Sequence, residues 1–263
     1  NHGFPGVIIG LSGGIDSALV CAIACDAIGA ERVRAVQMPF RYTSTMSQED
    51  SKKQAESFGI RYDVIPIEPM YEATIAQLRP VLGETEPDAT EENIQARCRG
   101  LLLMAISNKT GRMLLTTGNK SEMAGGYATL YGDMAGGFAP IKDCSKSLVF
   151  ELARYRNTLG EAIPERVISR PPSAELRADQ KDTDSLPDYD VLDPILEAFI
   201  EKDLSVAEIT ALGFDRAVVI RVLEMVKRNE YKRRQAPPGV RISSRAFGRD
   251  WRYPITSGYK FPT

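Results

Sequence analysis

The sequence predicts an α/β fold, an open parallel sheet with helices on both faces. Strand-like apolar runs recur at 7–11, 33–38, 61–65 and 112–116, and helical patterns separate them. The first run enters a glycine turn, Ser12-Gly13-Gly14-Ile15-Asp16-Ser17, that leads straight into a helical pattern over 18–28. At 263 residues the chain is long enough for one large core, and we read it as a single domain over 1–263.

Each element has its own signal. Ile15, Ala18, Leu19, Ala22 and Ile23 follow helical spacing between the first two strands. The next helix covers 47–58 and stops at Gly59, and a short one over 71–78 is halted by Pro80. Thr90 caps the following helix, with Glu91 and Glu92 in its first turn. Ile94, Cys98, Leu101 and Ala105 give that helix a buried stripe, and Asn93 and Arg97 share another face. The stretch 118–140, rich in glycine and aromatics, is too long for a simple connection and reads as a functional loop. Leu148, Leu152, Tyr155 and Leu159 mark an amphipathic helix. With adjacent prolines, many charges and few apolar residues, 170–190 reads as a mobile lid or a disordered segment. Leu192, Ile195, Leu196 and Phe199 form one helix face, and Ser205 with Glu208 makes a capping box. Val218, Val219, Val222, Leu223 and Val226 define the last helix, before a basic, aromatic tail from Tyr231.

Composition excludes several functions. The 33 basic and 35 acidic residues leave a net charge of -2, so no global field draws the chain to nucleic acid or a membrane. Cys21, Cys25, Cys98 and Cys144 form no C-x-x-C pair and read as reduced, buried thiols of a cytoplasmic protein. No apolar run reaches membrane-spanning length, and no leader pattern precedes the first strand. That strand begins so close to Asn1 that the chain reads as a piece of something longer.

The turn carries the chemistry. A strand, a tight glycine bend and a helix N-terminus present several N–H groups to one point, with the helix dipole adding positive charge. Ser12 and Ser17 can donate to phosphate oxygens, and Asp16 fits beside phosphate if a divalent cation bridges them. Strand–helix packing alone needs the glycines but neither the serines nor the acid. No lysine follows in the Walker position. Gly10-Leu11-Ser12-Gly13-Gly14 also matches the nucleophile elbow G-x-S-x-G, but the single histidine, His2, precedes the serine and stands in the wrong order for a hydrolase triad.

SGGIDS resembles the signature loop of the ATP pyrophosphatase family, whose members cleave ATP between its α and β phosphates to adenylate a substrate. The text from Gly6 to Lys146 is similar to NAD synthetases, and Ser243-Ser244-Arg245-Ala246-Phe247 points to the synthetase half of the glutamine-dependent type. Ammonia-dependent members often carry a charge near Leu130 and an acid near Gly137, and this chain has neither.

The resemblance implies a Rossmann-like sheet of the adenine nucleotide alpha hydrolase kind, a homodimer, and ATP, deamido-NAD and ammonia as substrates. It places ATP on Gly10, Leu11, Ser12, Gly13, Gly14, Ile15, Asp16, Ser17, Thr117 and Lys146. Met38, with Phe40, is a candidate adenine shelf, core packing being the alternative. Ser173 resembles a nucleotide-contacting hydroxyl, or is a polar loop residue. Deamido-NAD falls to Asn93, Arg97, Glu122, Tyr127, Leu130 and Lys232, with a salt bridge to Glu92 the alternative for Arg97. Asp16 and Glu122 would hold Mg2+, Glu122 otherwise facing the dinucleotide or serving as a first-turn helix acid. Asp16, Glu122 and Lys146 form the catalytic set, a solvated surface lysine being the other reading of Lys146.

The implied reaction is attack of the nicotinate carboxylate on the α-phosphorus of ATP, loss of pyrophosphate, then attack of ammonia to give NAD and AMP. Asp16, a phosphate oxygen and water all stand as acceptors of the ammonium proton. Ammonia comes from solution or from a glutaminase domain or subunit, since no cysteine here has a nucleophile's setting. Another adenylating amidotransferase, GMP-synthetase-like, and a non-catalytic adenine-nucleotide-binding module are the rival readings.

Overall fold

The structure, a computed structural model, describes residues 3–83 and 86–261, so His2 lies outside the described residues. Four strands, β1 (Val7–Gly10), β2 (Val33–Gln37), β3 (Arg61–Val64) and β4 (Met113–Leu115), form a parallel sheet ordered β3-β2-β1-β4. Val7 stands opposite Val33 on one side and Met113 on the other, and Arg34 faces Arg61. The helices are α1 (Ile15–Ile28), α2 (Thr45–Phe58), α3 (Glu68–Leu82), α4 (Ala89–Thr110), α5 (Lys120–Gly125) and α6 (Lys146–Thr158). There follow α7 (Glu165–Ser169), α8 (Tyr189–Leu196, continued by a π turn over Glu197–Glu201), α9 (Val206–Ala211), α10 (Arg216–Arg228) and α11 (Glu230–Arg233).

Alternating side chains build two cores on the sheet. Ile9, Ala35 and Leu115 pack against α1, α2 and α6, while Ile8, Val36 and Leu114 pack under α3 and α4. Helix α1 is apolar nearly all round because it is covered on both sides. A third core, away from the sheet, joins α5, α8, α9 and α10 around Leu192, Ile195, Val222 and Leu223. The strand order reverses between β1 and β4, so the loops leaving their carboxyl ends part and open a cleft.

Several elements differ from expectation. Pro80 lies inside α3 rather than ending it: Ala76 and Pro80 are exposed, so the unpaired carbonyl at that turn stays in water. Asp88, not Thr90, caps α4, accepting from Thr90 N at 2.6 Å while Glu91 accepts from Asp88 N at 2.7 Å. Leu101 and Ala105 are exposed, because the face of α4 on the sheet follows steps of four from Ile94 and Cys98 through Leu102 to Ile106. Tyr155 and Leu159 are likewise exposed, and Val149 and Ala153 fill the core side of α6. The 118–140 stretch contains helix α5, and α11 follows the expected last helix. All four cysteines are buried free thiols. No helix among the described residues is long and apolar enough to cross a membrane.

The tail is not a free basic patch. Arg233 is buried against Glu230 at 3.0 Å, and Lys232 donates to the carbonyls of Gly126 and Ala128 at 2.7 and 2.8 Å. Farther on, Asp143 accepts from the N–H groups of Ile242 and Ser243, both at 2.8 Å.

Candidate active site

The turn after β1 is held open by its own hydroxyls. Ser12 Oγ lies 3.0 Å from Ser17 Oγ, Gly14 N donates to Ser12 Oγ at 3.1 Å, and Ser17 Oγ donates to the Gly14 carbonyl at 3.0 Å. Gly13 adopts φ +85°, and a Cβ there would strike the backbone of Ser47, so the bend demands glycine. Gly14 caps α1 without a side chain, which leaves the helix N-terminus open to the cleft.

Asp16, in the first turn of α1, meets the loop after β4. Its Oδ1 accepts from Asn119 Nδ2 at 2.8 Å and its Oδ2 from Lys146 Nζ at 2.6 Å. Lys146 also donates to Glu122 Oε1 at 3.2 Å, with Asp182 Oδ2 at 3.9 Å. At 2 % exposure Lys146 is no solvated surface residue. Glu122 is both a first-turn acid and a member of the cluster, since its backbone and side chain complete a capping box with Asn119.

Electrostatics bind these groups to one another. Burial alone would lower the Lys146 ammonium, but Asp16, Glu122 and Asp182 around it raise its pKa and keep it charged. Burial and the neighbouring Asp16 push Glu122 up to about 8, against the pull of Lys146. The helix that carries Lys146 is fixed at its root. Lys146 N donates to Ser121 Oγ at 2.9 Å, Ser121 donates to Asp193 Oδ1, and Asp193 Oδ2 accepts from Ser147 N at 2.8 Å and Ser147 Oγ at 2.7 Å. One buried carboxylate on α8 thus ties α5 to α6.

A cleft of about 280 Å³ runs over this cluster. It is lined by Gly10, Leu11, Ser12, Gly14, Ile15, Asp16, Ser17, Met38, Thr117, Glu122, Tyr127, Lys146 and Ser173, all expected nucleotide or substrate residues. Phe40 is not in the wall; it is buried beside Tyr71. Asn93, Arg97, Leu130 and Lys232 are also outside the wall and converge on one loop instead. Thr129 Oγ1 donates to Asn93 Oδ1 at 2.8 Å, Arg97 Nε donates to the Leu130 carbonyl at 3.3 Å, and Lys232 grips Gly126 and Ala128. Arg97 makes that loop contact, whereas Glu92 pairs with Arg177 at 3.3 Å.

The 170–190 segment lies across the cleft. Arg170 donates to the Gly13 carbonyl, and Glu175 accepts from Ser44 Oγ and Ser47 Oγ, both at 2.8 Å. Gln95 Nε2 donates to the Leu176 carbonyl at 2.9 Å, and Ser173 Oγ to the Gln180 carbonyl at 2.6 Å.

Sequence reasoning missed Asn119, Asp182, Asp193 and Arg99. The last lines the cleft and donates to the Met38 carbonyl at 3.1 Å. Arg97 and Arg99 are two apart on α4, so only one of them can face inward, and nothing in the spacing says which.

Asp16 and Glu122 present hard oxygen ligands beside the phosphate-shaped turn, which suits Mg2+, an ion that keeps several waters and binds through one or two carboxylates. Among the described residues no three His, Cys, Asp or Glu side chains form a ready-made metal cage.

The comparisons with known proteins decide the lineage. A family described as NAD synthase matches residues 1–236. The chain belongs to the NAD synthase family. It is 61% identical over 260 residues to a glutamine-dependent NAD(+) synthetase from Acinetobacter baylyi, covering 98% of this chain and 48% of the relative, and 54% identical over 263 residues to one from Thermotoga maritima, covering 99% and 46%. The chain therefore spans about half the length of the curated relatives it matches. Among solved structures, the glutamine-dependent NAD+ synthetase of Acinetobacter baumannii in complex with ADP is 56% identical with a TM-score of 0.64, over 100% of this chain and 48% of that one. The NMN synthetase of Francisella tularensis is 28% identical with a TM-score of 0.73, over 88% of each chain.

Proposed function

We propose that the protein is an ATP-dependent ligase that amidates deamido-NAD to NAD through an adenylated intermediate, releasing pyrophosphate and AMP. The observation that carries this reading is the Asp16–Lys146–Glu122 cluster set against the Ser12–Ser17 turn in one cleft. Family membership and a relative solved with ADP support it.

The residues do electrostatic work. The N–H groups of the turn and the start of α1 receive phosphate oxygens, and Lys146 neutralises charge that grows as the α–β phosphate bond breaks. The attacking carboxylate is already ionised at neutral pH, so this step needs no histidine. Its oxygen bonds to the α-phosphorus while the pyrophosphate oxygen leaves with the bonding pair. Mg2+ bound by Asp16 and Glu122 would add further neutralisation of the phosphates. The loop over 126–130, gripped by Asn93, Arg97 and Lys232, shapes the wall that receives the dinucleotide, with Tyr127 and Ala128 in that wall and Leu130 behind it. The segment over 170–190 shields the adenylate from water. Ammonia enters free or from a glutaminase domain or subunit. The protein is taken as a cytoplasmic homodimer, and light scattering measures that mass directly.

The test is incubation with magnesium-ATP, ammonia and deamido-NAD. AMP and NAD should appear together, with xanthosine monophosphate and the corresponding mononucleotide acid as control acceptors. Pyrophosphate released equally with every acceptor, or with none, would sink the assignment.

A further inference from the structure

We propose that the buried carboxylate of Asp182, flanked by Tyr127 and Tyr189, is the site that receives the nitrogen substrate as an ammonium ion. The inference rests on the amidation reading and adds to it the residue that takes the third substrate. Asp182 is 3 % exposed and lines the cleft. Its Oδ2 accepts from the Tyr189 hydroxyl at 2.8 Å, whereas its Oδ1 is buried without a hydrogen bond of good geometry, the Tyr127 hydroxyl lying beside the carboxylate. A carboxylate oxygen kept from water without a donor is costly, so such an atom marks a place for one.

The surroundings say which donor. Asp16, Glu122 and Asp182 face the one ammonium of Lys146 at 2.6, 3.2 and 3.9 Å, so a single cation serves three acidic groups. Asp16 and Glu122 stand in the first turns of α1 and α5 and are engaged by Lys146 and Asn119. Asp182 stands apart from them, on the segment that crosses the cleft. The Tyr189 ring lies 5.4 Å from Lys146 Nζ, so an aromatic face already accompanies one nitrogen cation here. The Tyr127 hydroxyl, accepting from Gln180 Nε2 at 3.3 Å, is the other neighbour. Burial first, then nearby carboxylates including Asp182, raise both phenols, so they remain neutral. Aromatic walls suit a monovalent cation whose hydrogens point outward to a carboxylate. A divalent metal ion keeps its waters and asks for oxygen on every side.

Asp182→Asn retains the shape and the acceptor for Tyr189 while removing the charge. With ATP and deamido-NAD saturating, its KM for ammonium should rise about tenfold or more. Deamido-NAD-dependent exchange of pyrophosphate into ATP precedes nitrogen entry and should fall by a smaller factor than the ammonium KM rises, the part lost reflecting the contact of Asp182 with Lys146. Hydroxylamine, neutral at the assay pH, should show a KM shift of less than about threefold. Tyr189→Phe should raise the ammonium KM in the same direction but less, and it carries the test if the first variant does not fold. An unchanged ammonium KM overturns the proposal, as does equal loss of exchange and of both nucleophiles. Absence of exchange in the unsubstituted protein removes the amidation reading itself and the proposal with it, an outcome visible before any substitution.

Discussion

The turn after β1 and the segment that crosses above it face the same cleft but are built in opposite ways. The turn hangs from a strand in the middle of the sheet, and its shape is set by backbone: a left-handed glycine, two hydroxyls bonded to each other, and a helix start. The segment over 170–190 has little regular structure, a single 3-10 turn before α8, and side chains pin it: Arg170 to Gly13, Glu175 to Ser44 and Ser47, Gln95 to Leu176. Backbone ladders are shared among many bonds, whereas a latch depends on a few. The first region should therefore fail through chemistry and the second through dynamics.

The strongest way to break that contrast is at the cluster. Lys146→Met should slow pyrophosphate release about a hundred- to thousandfold, because it removes the cation aimed at the growing charge. A loss of less than about tenfold in a release assay would place the neutralising charge elsewhere. Gly13→Ala should follow closely. Its positive φ and the Ser47 backbone leave no room for a Cβ, and about 1–3 kcal/mol of strain should appear as weaker ATP binding by calorimetry.

The second probe acts one step back. Asp193→Ala unties α5 from α6 and should lower kcat roughly ten- to a hundredfold with little change in KM for ATP, since misplacement by about an ångström costs that much. Partial recovery in Asp193→Asn would sharpen the case, and a shift confined to KM would end it.

The latch should respond more weakly. Glu175→Gln weakens three bonds to Ser44 and Ser47 and should speed limited proteolysis over 171–188 by about three- to tenfold. Cleavage at an unchanged rate would mean that the segment is held by its buried residues, such as Asp182 and Leu186, and not by the latch.

The smallest effect on turnover belongs to Asp143. Burial alone would raise this carboxyl, but the N–H groups of Ser243 and Ile242 and the Lys120 ammonium hold it below its usual 3.8. A depressed native value means that its stabilisation is full above 3.8 and fades as the pH falls through the native value. Asp143→Asn should lower stability by about 2 kcal/mol at neutral pH, and the gap to the unsubstituted protein should close in acid, as followed by thermal melts. A gap that persists unchanged in acid would discount the ionised form.

What was legible in the sequence follows the same divide. Strand runs, Gly59, and the capping box of Ser205 and Glu208 were readable because local chemistry dictates them. SGGIDS was readable because an open helix start with two hydroxyls has few other uses. Helix faces were read less well. Leu101 and Tyr155 obey helical spacing yet face outward, since which apolar stripe is buried depends on the partner helix and not on period alone. Asp182 and Asp193 were illegible for a different reason. Both sit among many charges in or just beyond 170–190, and only the tertiary path brings them to Lys146 and Ser147. Asn93, Arg97 and Lys232 were named from the family pattern as substrate contacts, but their grip on the 126–130 loop needs coordinates.

Lys120 stands between Asn119 and Ser121, yet its side chain turns to the back of the active loop and donates to Glu201, Ser243 and the Arg245 carbonyl at 2.8, 2.7 and 2.9 Å. Two of those acceptors lie beyond residue 236, where the family match stops. Trimming the gene to that shorter boundary would keep every strand and still remove two acceptors from a buried amine directly behind Asn119 and Glu122. Expression clones should therefore run past Arg245.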